Sequence, residues 1–217
     1  MPPKRPLLLD VSLWSANLLN LAAEIQSILP FADGFHLDVA DGHFVPTLLF
    51  FPDLVAAIRT LTSKPLHVHL MVNDPAALVP SFIEASADLI TVHVETKTAS
   101  DALKLIAKAN RKAGLALLLD SPIDLLREHL DHADAVLALG TQVGIKGVDL
   151  APQACDRLRT IRSLISPHPH LRLYADGGIR EHTVAQLRAA GADAIVPGSL
   201  IFNAPDRARV YEWLKHF

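Results

Sequence analysis

Pro6-Leu7-Leu8-Leu9-Asp10-Val11-Ser12-Leu13-Trp14-Ser15 reads as an apolar strand, Pro6–Leu13, running into a turn that contains no glycine. A doubly wound open sheet usually places a glycine-rich turn after its first strand. The choice between that fold and a closed barrel therefore leans on this stretch, and the missing glycine favours the barrel.

Working outward, short apolar runs alternate with longer amphipathic ones to the end of the chain. Seven further strands are predicted at Gly34–Val39, Leu66–Met71, Leu89–Val94, Ala116–Leu119, Ala135–Leu139, Leu171–Ala175 and Ala194–Pro197. Helices are predicted near 17–29, 51–61, 75–86, 99–113, 122–131, 150–165, 180–190 and 205–215. Asn73-Asp74-Pro75 and Ser121-Pro122 supply helix-start signals, and Lys112-Ala113-Gly114 and Ala189-Ala190-Gly191 read as glycine-terminated helix ends. Eight strand–helix units in strict alternation predict an all-parallel sheet closed into an α/β, (β/α)₈ TIM barrel. No linker or repeat of solenoid length interrupts the pattern, so residues 1–217 are read as a single domain.

Composition agrees. Half of the 217 residues are hydrophobic, enough for one large core, and 20% are charged, which argues against disorder. A formal net charge of -3 gives no electrostatic case for nucleic acid or an anionic membrane. Leu7–Leu9 is too short for a signal-peptide core, and no run reaches the roughly 18 apolar residues of a membrane span. The lone Cys155 excludes an internal disulfide framework and is read as structural. A cytoplasmic location is the expectation.

The C-terminal ends of barrel strands carry chemistry, and unusual polar residues collect there. His36 and Asp38 are two apart on the second strand and so leave by one face, while Phe35, Leu37 and Val39 take the other. His67 and His69 share a face of the third strand, and Asp176-Gly177-Gly178 ends the seventh. Buried carboxylates and imidazoles need partners. His36, Asp38, His69 and Asp176 converging on one mouth predict a metal-bound acid/base site. His67, His93 and Glu95 are weaker candidate ligands, and Asp41 and His43 are read as organising the loop after strand two. His129, His132, His168 and His170 are read as surface residues. Gly177-Gly178 and Gly198-Ser199 follow the seventh and eighth strands, where barrels often bind phosphate, with Ser199–Asn203 as a candidate extra helix.

His36-Leu37-Asp38-Val39-Ala40-Asp41-Gly42-His43-Phe44-Val45-Pro46 closely resembles a signature of the ribulose-phosphate 3-epimerase family. His67-Val68-His69-Leu70-Met71, Asp176-Gly177-Gly178-Ile179 and Pro197-Gly198-Ser199 resemble its later motifs, and Val11-Ser12-Leu13 its opening; the likeness runs from about residue 7 to 204. The resemblance implies a ribulose-phosphate-binding barrel acting on a phosphorylated sugar in pentose phosphate metabolism. It would invert C3 of a ketose phosphate, such as D-ribulose 5-phosphate or D-xylulose 5-phosphate, through a 2,3-enediolate. It further implies His36, Asp38, His69 and Asp176 as ligands of one divalent metal ion, and Asp38 and Asp176 as the acid/base pair. Ser12, His69, Met71, Gly144, Gly147, Gly177, Gly178, Gly198 and Ser199 would contact substrate. The mixed imidazole and carboxylate shell suits Zn²⁺, Fe²⁺, Mn²⁺ or Co²⁺ without choosing among them.

The chain also departs from the family pattern. Leu139-Gly140-Thr141-Gln142-Val143-Gly144-Ile145-Lys146-Gly147 lacks the usual Pro-Gly turn, and Lys146 is either a phosphate contact or a solvated loop residue. Ala40 replaces a methionine, which is expected to enlarge the space over the substrate, and His67 replaces an aspartate. These changes predict the same chemistry on a shifted range, with a tetrulose or hexulose phosphate as alternatives. A metal-independent phosphate-binding lyase or isomerase, or a non-catalytic sugar-phosphate-binding barrel, are the competing classes. Trp14, Phe44, Phe50 and Phe51 are candidates for a lid or a homo-oligomer interface.

Overall fold

The computed structural model describes residues 6–217; residues 1–5, part of the N-terminal segment read above, lie outside the described residues. Eight parallel strands form the barrel: β1 (Leu8–Ser12), β2 (Gly34–Asp41), β3 (Leu66–Met71), β4 (Leu89–His93), β5 (Lys112–Leu117), β6 (Ala135–Leu139), β7 (Arg172–Asp176) and β8 (Ala194–Val196). Each pairs with the next, and β1 pairs with β8 through Leu8↔Ala194 and Leu9↔Ile195, which closes the sheet. A two-residue strand, Leu48–Leu49, pairs antiparallel with the end of β2. Among the described residues no helix is long and apolar enough to cross a membrane.

Strand alternation divides the core in two. Leu9, Val11, Phe35, Leu37, Val39, Val68, Leu70, Ile90, Val92, Leu115, Val136, Leu173 and Ile195 point outward into one continuous layer shared with the helices. Burying a side chain of this size stabilises the fold by roughly 1.5–3 kcal/mol, so this layer supplies most of the driving force. The interior is asymmetric. Ala116, Leu137, Leu139 and Val196 pack together inside β5, β6 and β8, whereas β1 to β4 place Asp10, Ser12, His36, Asp38, His67, His69, Thr91 and His93 inside, all buried.

The N-terminal ends are pinned by a device repeated four times. An Ala-Asp pair precedes every even strand: Asp33, Asp88, Asp134 and Asp193. Each aspartate accepts a backbone N–H from the preceding odd strand, at Leu9 (2.8 Å), Leu66 (2.8 Å), Ala113 (2.9 Å) and Leu173 (2.9 Å). Lys215, Arg59 and Arg162 pair with Asp33, Asp88 and Asp193. Strand-edge donors are thus satisfied where no further strand residue can do so.

Three predicted elements differ. The helix expected at 99–113 is Ala99–Lys108, and the strand expected at Ala116–Leu119 is β5, Lys112–Leu117. Gly114 is a strand residue rather than a helix end. A Cβ there would lie 2.0 Å from Thr91 Oγ1, so the interior has room for glycine only. The segment expected as an α-helix at 122–131 is a 3₁₀ helix, Ile123–His132. Ile123, Leu126 and His129 recur every third residue, the spacing that eclipses side chains on a three-residue turn. That face is covered, and His129 is buried rather than on the surface.

Candidate active site

At the C-terminal mouth, the register sets Ser12 beside His36 and Asp38 beside His69 across neighbouring strands. Asp38 Oδ1 lies 3.2 Å from His36 Nε2 and 3.2 Å from His69 Nδ1, and its Oδ2 accepts a hydrogen bond from Ser12 Oγ at 3.1 Å. Asp176, arriving from β7, brings Oδ2 to 3.9 Å from His36 Nε2 and 4.0 Å from His69 Nδ1. One ligand atom from each of these four residues lies within 4.8 Å of the others. The two 3.2 Å nitrogen–oxygen separations suit neighbouring ligands of one small ion bound at about 2.0–2.2 Å. The donor set therefore fits a divalent cation.

The two carboxylates are in different electrostatic states. Burial works to raise Asp38, but His36 and His69 outweigh it and hold this carboxyl well below the usual range. Burial raises Asp176 to about 7, opposed by His36 and reinforced by the charge of Asp38. Burial lowers His69 to about 3 against the pull of Asp38. Two carboxyls of such unequal acidity facing a common space are an acid/base arrangement.

Further residues stand behind the four. His69 Nε2 faces His93 Nε2 at 2.9 Å, and His93 Nδ1 lies 3.3 Å from Glu95 Oε2. His93 and Glu95 thus back the cluster instead of joining it. Asp41 accepts from the backbone N–H groups of His43, Phe44 and Asn73, each at 2.8 Å, and so organises the loop as expected.

Asp38, His69 and Asp176 open onto a cavity of about 270 Å³, while His36 is wholly covered behind it. Ser12, Met71, Gly144, Gly147, Gly177, Gly178, Gly198 and Ser199 line the same cavity. Gly177 and Gly178 have φ of +86° and +68°, and a Cβ on Gly178 would lie 2.6 Å from Leu150 Cα. That turn requires glycine. The short helix Ser199–Phe202 forms as expected, ending one residue earlier. Lys146 reaches across the opening: Nζ donates to the Trp14 carbonyl at 2.7 Å and lies 5.7 Å from its ring.

Ala40 does not itself border the cavity. It is buried with Val45 and Met71, and Phe44, Leu49 and Val143 pack against that group. Val143 brings the loop after β6 into this packing.

Sequence reading missed Asp10 and Arg180. Asp10 shares the period-two face of Ser12, a signal present in the first strand. Arg180 lines the cavity and donates to the carbonyls of Ile179 (3.0 Å) and Val148 (3.2 Å) and to Ser199 Oγ (3.3 Å). Its targets come from three separate loops, which no local spacing reveals.

Residues 8–202 match the ribulose-phosphate 3 epimerase family. The chain is 37% identical over 204 residues to ribulose-phosphate 3-epimerase of Synechocystis sp., covering 91% of this chain and 88% of that protein. It is 34% identical over 212 residues to the Escherichia coli K12 ribulose-phosphate 3-epimerase, covering 96% and 94%. Among solved structures it resembles 3-keto-L-gulonate-6-phosphate decarboxylase from Vibrio cholerae, with a TM-score of 0.75 at 17% identity and 98% of each chain covered. That likeness shows the barrel fold alone. The chain belongs to the ribulose-phosphate 3-epimerase family, whose members are isomerases acting on carbohydrates.

Proposed function

We propose that this protein is a metal-dependent ketose-phosphate 3-epimerase, interconverting D-ribulose 5-phosphate and D-xylulose 5-phosphate within one barrel domain. The observation that carries the reading is the placement of Asp38 and Asp176 on β2 and β7, both bordering one cavity and flanking His36 Nε2 at 3.2 and 3.9 Å. Inverting C3 requires a proton to leave one face and another to arrive on the opposite face. One of the two aspartates takes the C3 proton, giving a 2,3-enediolate, and the other returns a proton across the sugar. Their separated acidities suit this exchange of roles, and Ser12, which also borders the cavity, orients Asp38 through its hydroxyl.

His36, Asp38, His69 and Asp176 would hold a single divalent cation, which when bound supplies Lewis-acid stabilisation of the charge that develops beside the reacting carbon. At the other end of the cavity, the Gly177-Gly178 turn, Gly198, Ser199 and the loop carrying Gly144 and Gly147 face the substrate's phosphate. Lys146 and Arg180 add positive charge there. Names of relatives at 34–37% identity support the same substrate class.

Incubating the purified protein with D-ribulose 5-phosphate in deuterated buffer tests the reading. Deuterium is expected at C3, with turnover lost on chelation and restored by Zn²⁺, Mn²⁺, Co²⁺ or Fe²⁺. Asp38→Asn and Asp176→Asn are each expected to stop epimerisation. Binding without exchange would make the protein a sugar-phosphate binder, and exchange that survives chelation would exclude the metal.

A further inference from the structure

On the side of His36 away from Asp38 and Asp176, the barrel holds polar side chains that the proposed reaction does not use. Asp10 comes from β1 and His67 from β3, the two strands that flank β2. Asp10 Oδ2 lies 2.5 Å from His67 Nδ1 and 3.5 Å from His36 Nδ1. His67 Nε2 in turn lies 2.7 Å from Thr91 Oγ1. Both residues are buried, at 6% and 2% exposure, and neither borders the cavity of Asp38 and Asp176. A carboxylate in that position needs hydrogen-bond donors, and the nearest are two imidazole nitrogens.

We propose that Asp10 is a positioning residue for His36: held by His67, its carboxylate accepts the Nδ1–H of His36, so that the imidazole, neutral once a metal is bound, would present Nε2 to the ion between Asp38 and Asp176. The inference rests on the metal-site reading above. A neutral imidazole has one donor and one acceptor, so committing one nitrogen decides the other. Two atoms stand near His36 Nδ1, Asp10 Oδ2 at 3.5 Å and His67 Nδ1 at 3.3 Å. His67 Nδ1 already directs its hydrogen to Asp10, so it has no lone pair to offer, and Asp10 is the acceptor. Thr91 completes the chain by donating its hydroxyl hydrogen to His67 Nε2. Asp10, His36 and His67 also lie close enough to be considered as ligands of a separate ion. The 2.5 Å contact argues for a hydrogen bond instead, being shorter than the spacing of neighbouring ligands around a small cation.

β1 and β3 approach His36 from either side, so a carboxylate on β3 would reach the same nitrogen. The test is Co²⁺ binding to the full chain, measured by competition with a chelator and by the visible spectrum of the bound ion. Asp10→Asn keeps the shape but weakens the acceptor, and is expected to bind Co²⁺ about 10–100-fold more weakly with an altered spectrum. The double variant Asp10→Ala/His67→Asp moves the carboxylate to β3 and is expected to recover most of the affinity. Asp10→Asn with wild-type affinity and an unchanged spectrum would overturn this proposal alone. If Asp10→Asn does not fold, the double variant decides: recovered affinity supports the proposal and lost affinity overturns it. Wild-type protein that takes up no Co²⁺ would instead remove the metal reading, and this inference with it.

Discussion

The Nε2 atoms of His69 and His93 lie 2.9 Å apart, with the rings stacked at 5.0 Å between centroids and 29° between planes. One nitrogen must donate and the other accept. Glu95 sets the direction, because its Oε2 faces His93 Nδ1 and its Oε1 already accepts the backbone N–H of Leu118 at 2.8 Å. His93 gives its Nδ1 hydrogen to Glu95 and receives that of His69 at Nε2. His69 Nδ1 is left bare toward Asp38. Replacing His93 by leucine removes the acceptor, and divalent-metal affinity is expected to fall about 10–100-fold. Titration of the metal-free protein with Zn²⁺ in competition with a chelator measures this, and unchanged affinity would separate His93 from the site.

Asp176 gives a prediction in pH. Burial first, then the neighbouring Asp38 charge, raise its carboxyl to about 7 against the pull of His36, compared with about 3.9 when exposed. Without metal, folding therefore favours the protonated form. The contribution is fully present below about pH 4 and is lost as pH rises toward 7. His69, lowered to about 3 by burial, gives the opposite slope below about 6.5, so wild type alone does not isolate the effect. The difference between Asp176→Asn and wild type does. In chelator-treated protein the variant is expected to gain stability relative to wild type from pH 4 to 7, then level off. Parallel denaturation curves across that window would contradict the raised pKa of Asp176.

Ala40 yields a prediction opposite to the one its size suggests. Read alone, a small residue between Asp38 and Asp41 promises a wider substrate space. In the fold, Ala40 lies behind the cavity wall, packed with Val45, Met71 and Val143. Ala40→Met should overpack this cluster and cost about 1–3 kcal/mol, a fall of several degrees in melting temperature for a chain of this length. Relative rates on pentulose and hexulose phosphates should stay unchanged. A preference that moves with normal stability would return Ala40 to the substrate wall.

What could be read from the residues divides along a physical line. Apolar runs placed seven of the eight strands to within two residues at either end, because each strand buries a face against the helices, while the fifth was set four residues late. His36, Asp38, His69 and Asp176 stood out because charge on an interior face is costly and therefore rare. Gly114 misled because a glycine after Lys-Ala has the form of a helix end, and only the opposing Thr91 side chain explains it. The four Ala-Asp pairs went unread, because their role depends on backbone donors one strand away. Asp10 and Arg180 act through neighbours distant in sequence.

Arg180 supplies the last prediction. Its guanidinium spans the loops after β6, β7 and β8 and borders the cavity beside Ser199, and no carboxylate lies within ion-pair distance of it among the described residues. Two roles fit these contacts: tying the loops together, or meeting the substrate's phosphate. Hydrogen bonds to charged groups contribute about 1.5–3 kcal/mol each, roughly a 10–100-fold change in binding. A phosphate contact is made equally in ground and transition states, so its loss raises KM and spares kcat. Arg180→Ala is therefore expected to raise KM for the ketose phosphate about 10-fold or more with kcat changed by only a few fold, and to weaken competitive inhibition by inorganic phosphate in parallel. Arg180→Lys should recover part of both. If Arg180 only ties the loops, the melting temperature will fall while KM and phosphate inhibition stay at wild-type values.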